Sequence, residues 1–142
     1  MRYIDLRSDT VTLPTQEMRD LKVKMKLSPM TDIIKGKRVI VIDDSIVRGT
    51  TSKRIVRMLK EAGASEVHMR VSSPPTTDPC YYGVDTPDKE NLIAANMSED
   101  EICKFIEADS LAYLDEAALL RSVNAKKEEN YCTACFTGKY IV

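Results

Sequence analysis

Hydrophobic and polar positions change period along this chain in a way that spells out its elements. Lys35-Gly36-Lys37-Arg38 leads into Val39-Ile40-Val41-Ile42, four β-branched residues in succession, closed by Asp43-Asp44. An unbroken apolar run this short predicts a strand buried on both faces of a parallel sheet. After Gly49, the stretch TTSKRIVRMLKEAGA sets Ile55, Met58, Leu59 and Ala62 at helical spacing, with Lys53, Arg54, Arg57, Lys60 and Glu61 on the polar side. A Thr/Ser hydroxyl supplies the N-cap and Gly63 the stop. Glu66–Val71 then alternates, placing Val67, Met69 and Val71 on one face of a second strand. Strand, helix and strand in this succession form a βαβ unit.

Beyond Val71 the pattern breaks. SSPPTTDPCYYGVDTPD is rich in Ser, Thr, Pro and Asp and reads as loop. Two short helices are predicted at Lys89–Ala95 and Glu99–Glu107, the second capped by Ser98 with Glu101 at capping-box spacing. Leu111–Leu114 reads as a third strand and Glu116–Val123 as a further helix. The charged linker AKKEEN then leads to YCTACFTGKYIV. The fold class is therefore α/β: a parallel sheet with flanking helices, then short helices and a Cys-containing C-terminal segment.

Composition narrows the class without naming a chemistry. The 142 residues carry 21 Lys+Arg against 22 Asp+Glu, a formal net charge of −1. Such a balance excludes a chain built to coat nucleic acid or an anionic membrane. No apolar run approaches the roughly 18–20 residues of a membrane span. MRYIDLRSDT lacks the apolar core of a signal peptide, so the expected compartment is the cytoplasm. With Trp absent and two Phe, the core rests on Ile, Leu, Val, Met and Ala.

The chemistry concentrates in VIVIDDSIVRGTTS, residues 39–52. A strand delivers two carboxylates to its C-terminal end, and a Gly/Thr/Ser loop opens a helix. The unpaired N–H groups and dipole of a helix start attract a phosphate dianion. Gly49 admits close backbone approach, and Thr50, Thr51 and Ser52 offer hydroxyl donors. Asp43 and Asp44 can accept from a vicinal diol or meet it through a divalent metal. The arrangement is neither a Walker A loop nor a dinucleotide fingerprint. It sits where open α/β sheets bind ligands, outside the carboxyl ends of the strands.

IDDSIVRGTTS resembles the phosphoribosyl pyrophosphate (PRPP) loop of type I phosphoribosyltransferases. Its Ser-Ile-Val-Arg variant resembles that of the glutamine PRPP amidotransferase family. PTQEMRDLKVKMKLSP, AGASEVHMRVSSPP, PCYYGVDTP, ENLIAAN, EADSLAYL and CTACFTGKY follow that family's order too, from about Pro14 to Val142. The resemblance implies a partial type I phosphoribosyltransferase fold. It implies that Asp43 and Asp44 hold the ribose hydroxyls and Mg²⁺ of PRPP, and that Arg48, Gly49, Thr50, Thr51 and Ser52 cradle the 5′-phosphate. The implied reaction transfers ammonia from glutamine to PRPP, giving 5-phosphoribosylamine in the first step of de novo purine synthesis. The family's glutaminase half and pyrophosphate loop have no counterpart in these residues. A fragment active with ammonia at best is therefore expected, as a homo-oligomer or completed by another chain. The alternative is a non-catalytic PRPP-binding or iron–sulfur-binding module completed by a partner chain.

Four cysteines, Cys80, Cys103, Cys132 and Cys135, suit metal binding or core packing in a reducing compartment. The resemblance casts Cys80, Cys132 and Cys135 as three of the four ligands of a [4Fe–4S] cluster, the fourth lying upstream. Cys103, between Ile102 and Ile106, reads as a small buried hydrophobe.

The opening MRYIDLRSDTVTLPTQEMRD resembles the start of low-specificity threonine aldolases. The chain then divides into an aldolase-like segment (1–20), a phosphoribosyltransferase-like fragment (21–125) and a Cys-x-x-Cys segment (126–142). No aldolase chemistry follows, because the cofactor lysine and its domain are missing. Ser8, Asp9 and Thr10 have no more than a turn or cap role. Lys22, Lys24 and Lys26 form either a solvated face or a funnel for an anionic substrate.

Overall fold

The computed structural model describes residues 31–123 and 131–141. The aldolase-like segment, Lys22, Lys24, Lys26 and the charged linker AKKEEN lie outside the described residues. The elements are α1 (Thr31–Ile34), β1 (Arg38–Asp43), α2 (Thr50–Glu61), β2 (Glu66–Val71), a 3₁₀ turn (Lys89–Asn91), α3 (Ile93–Asn96), α4 (Glu99–Ile106), β3 (Ser110–Tyr113), α5 (Glu116–Ser122) and α6 (Ala134–Thr137).

Among the described residues the strands form one sheet in the order β1-β2-β3, both pairs parallel. Val41 faces Met69 and Asp43 faces Val71, while Met69 faces Leu111 and Val71 faces Tyr113. One sheet face carries the β2 alternation, with Val67 and Met69 fully buried and Val71 nearly so. α2 packs against β2 and against α4, which in turn packs on β3. Ile55, Val56 and Leu59 of α2 meet Ile102 and Ile106 of α4 over this face, in one core with Ile34, Ile46 and Ile93. Each buried aliphatic side chain of this kind contributes roughly 1.5–3 kcal/mol relative to exposure.

Three sequence expectations are corrected. β1 is not buried on both faces: Ile40 is 51% and Ile42 60% exposed. Among the described residues β1 is an edge strand, and the packed helices α2 and α4 lie on the other face. α2 has no hydroxyl cap, because Gly49 takes the N-cap in left-handed conformation, φ 74°, with no side-chain bond. The helix expected at Lys89–Ala95 is split, with extended Leu92 (φ −84°, ψ 116°) separating the 3₁₀ turn from α3. The remaining boundaries agree within about a residue or two. α4 carries the full capping box: Ser98 Oγ accepts from Glu101 N–H and Glu101 accepts from Ser98 N–H.

Candidate functional site

Asp43 ends β1 on the core side of the sheet, in register with buried Val71. Its carbonyl accepts both the N–H (2.9 Å) and the Oγ–H (3.1 Å) of Ser72, which locks the ends of β1 and β2 together. Burial pushes the Asp43 carboxyl above its ordinary range. The Asp44 N–H, donating to Asp43 Oδ1 at 3.0 Å, works against this, and the Asp44 charge adds to it. Asp44 is exposed and accepts a hydrogen bond from Ser45 Oγ at 3.1 Å. Two hard-oxygen carboxylates side by side, one partly desolvated, are a donor set suited to Mg²⁺. The ion would neutralise their mutual repulsion.

The loop between Asp44 and α2 is anchored from below. Ile46 is 2% exposed in the core, and Val47 O accepts the N–H of Ile93 at 2.9 Å. Gly49 then turns left-handed. A Cβ there would lie 2.8 Å from Ile93 Cδ1 and 3.1 Å from Phe105 Cε1. The first intrahelical bond runs from Lys53 N–H to Gly49 O at 2.9 Å. The N–H groups of Thr50, Thr51 and Ser52 therefore lie in the first turn, where no intrahelical acceptor exists. Thr50 and Thr51 are exposed, whereas Ser52 is buried at 3% exposure and lines the floor. Exposed Arg48 borders a cavity of about 280 Å³ with Leu92, Ile93, Asn96 and Phe105. Strand end, turn and helix start thus set Asp43, Asp44, Arg48, Gly49, Thr50, Thr51 and Ser52 along one short stretch, of which Asp44, Arg48, Thr50 and Thr51 are exposed and Gly49 and Ser52 buried. Ile93 and Phe105 beneath it carry no local sequence signal, since only tertiary packing brings them under Gly49.

The cysteines occupy a second region. Cys135 O accepts the N–H groups of Thr77 (3.0 Å) and Asp78 (3.1 Å), which ties the C-terminal segment to the 72–88 loop. Tyr140 OH donates to Pro79 O, and its ring lies 4.8 Å from that of Tyr81. Main-chain N–H groups of Tyr82, Val84 and Gly83 hold the Cys80 thiol below its usual range. Burial raises that of Cys135, and Cys132 and Cys80 nearby add to it. Even so, among the described residues no three or more Cys, His, Asp or Glu side chains are arranged to hold a metal ion. The ligand set Cys80, Cys132 and Cys135 implied by the resemblance is therefore not supported. Cys103 is partly buried, its Sγ–H donating to Ala108 O at 3.4 Å, in keeping with a packing role. His68 sits on the polar sheet face between Ser110 Oγ (2.8 Å) and Glu66 Oε2 (2.9 Å).

The family profile for the phosphoribosyl transferase domain matches residues 6–95, more than half of the chain, and the chain belongs to that family. Its curated relatives are amidophosphoribosyltransferases: one from Synechocystis is 53% identical over 94% of this chain and 27% of its own. A chloroplastic one from Glycine max is 58% identical over 91% of this chain and 22% of its own. Among solved structures, glutamine PRPP amidotransferase from B. subtilis, complexed with ADP and GMP, matches with TM-score 0.78 and 51% identity, covering 91% of this chain and 29% of that one. Another, described as the allosteric regulatory enzyme of purine biosynthesis, matches with TM-score 0.78 and 50% identity over 99% of this chain and 30% of that one. The chain spans about a quarter of the length of these relatives. The family match begins at residue 6, inside the stretch that resembles threonine aldolase, and nothing in these relatives supports that resemblance.

Proposed function

We propose that residues 43–52 form the ribose-phosphate subsite of an amidophosphoribosyltransferase and bind PRPP together with Mg²⁺. One observation carries this reading. The left-handed turn at Gly49 presents the open first turn of α2 directly beside two carboxylates at a strand end. The N–H groups of that turn, the exposed hydroxyls of Thr50 and Thr51 and the Arg48 guanidinium receive the 5′-phosphate. Asp43 and Asp44 accept from the ribose 2- and 3-hydroxyls and hold the Mg²⁺, which supplies charge neutralisation for the pyrophosphate.

In the reaction of such an enzyme, the nitrogen of ammonia bonds to C1 of the ribose. Pyrophosphate leaves with the electron pair of the C1–O bond, through a transition state with oxocarbenium character, and the nitrogen, cationic once bonded, gives up one proton to solvent. This subsite would act by positioning and electrostatics rather than by proton transfer. No step of the reading runs through the cysteines.

Calorimetric titration of PRPP into the protein with Mg²⁺, beside Asp44→Asn, tests the proposal. The expected result is saturable binding that the substitution weakens more than about tenfold, or about 1.4 kcal/mol. No heat from a folded sample would overturn it.

A further inference from the structure

Apolar side chains from outside residues 43–52 pack against the turn at Gly49. Ile93 Cδ1 and Phe105 Cε1 close on Gly49 so tightly that a Cβ there would meet them at 2.8 and 3.1 Å. Phe105 is engaged on its other side as well. The Lys53 ammonium lies 4.6 Å over its ring centroid and 3.3 Å from Glu107 Oε1. Glu107 in turn takes Arg57 through two hydrogen bonds. Lys53 and Arg57 belong to α2, the helix whose first turn faces the phosphate, whereas Phe105 and Glu107 belong to α4 and its C-cap. A second tether, Ile93 N–H to Val47 O, holds the loop on the other side of the turn.

We infer that Phe105, with Ile93, is a positioning residue for the phosphate site. Its ring fixes the left-handed turn at Gly49, and so keeps the first-turn N–H groups of α2 aimed at the anion before any ligand arrives. Preorganised donors need no reordering on binding, and that lowers the cost of binding. A free Gly49 samples many more conformations than other residues do. The wall of Ile93 and Phe105 removes that freedom. This inference deepens the function proposed above and rests on it for the identity of the anion.

The test compares Phe105→Ala, Phe105→Leu and Ile102→Val with the unsubstituted chain. Ile102 lies in the same helix and is 1% exposed, so its substitution disturbs the α4 core; it is not among the atoms nearest Gly49. Two readouts are taken: affinity for ribose 5-phosphate, and hydrogen exchange of the Lys53 amide, which donates to Gly49 O. Phe105→Ala should weaken ribose 5-phosphate binding about tenfold and speed Lys53 exchange by a similar factor. Phe105→Leu should restore most of both, and Ile102→Val should leave both near the unsubstituted values. Equal effects of Phe105→Ala and Ile102→Val, or none from Phe105→Ala on Lys53 exchange, would overturn the inference. If the unsubstituted chain takes up no ribose 5-phosphate, the proposed function fails, while Lys53 exchange still decides the role of Phe105.

Discussion

Gly49 meets two demands at once. Its φ of 74° lies where an L side chain is strained, and the space its Cβ would need is occupied by Ile93 and Phe105. Gly49→Ala therefore combines backbone strain with overpacking, each on the order of 1–3 kcal/mol. Urea unfolding should show a loss of about 2–6 kcal/mol from the two together, with phosphate binding lost as the turn opens. A loss under about 1 kcal/mol would mean that the wall yields. The presence of glycine between strand and helix was legible in the sequence. That it serves as the helix cap was not, because Thr50, Thr51 and Ser52 offer the hydroxyls that ordinarily take that position. Ser52 shows the same limit: its residue type suits a phosphate donor, but its place in the first turn of α2 turns it into the floor, 3% exposed.

Helices α2 and α4 are joined by charge as well as by core packing. Glu107, at the left-handed C-cap of α4, binds Arg57 and Lys53 of α2, and the Arg57 hydrogen bonds foremost lower its carboxyl from 4.5 to about 2. A depressed carboxyl stabilises the fold above its unfolded value and loses that effect as pH falls toward its folded one. The stability difference between the unsubstituted chain and Glu107→Gln should thus be complete above pH 4.5 and vanish near pH 2. Thermal unfolding across that window measures it, and a difference independent of pH would contradict the assignment. Added salt should shrink it, since these groups are partly exposed. The elements themselves were readable from periodicity. The β2 alternation and the Ser98 capping box are local patterns, and both stand as expected. The Glu107 tie was not readable, because its partners are 50 and 54 positions away in sequence.

The second face of the sheet leaves Ile40 and Ile42 exposed beside part-buried neighbours. Ile40 and Ile42 of β1 share it with His68 and Arg70 of β2 and Ser110 and Ala112 of β3. Periodicity reported four apolar residues in β1 but not that half of them face outward, since burial depends on what the sheet meets. Exposed isoleucines on an unpaired edge strand invite self-association. Ile40→Lys with Ile42→Lys should lower the sedimentation-derived mass of any oligomer and change monomer stability by less than about 1 kcal/mol. Unchanged association would place the contact elsewhere. The strand order also carries a consequence for how the chain acquires its shape. Each strand pairs with the next one along the sequence, so every strand contact among the described residues is between sequence neighbours. The C-terminal segment, by contrast, is held to the 72–88 loop by Cys135 O and by Tyr140, whose hydroxyl reaches Pro79 O across 61 positions. Closing that loop sets more chain entropy against the contact than either strand pairing does.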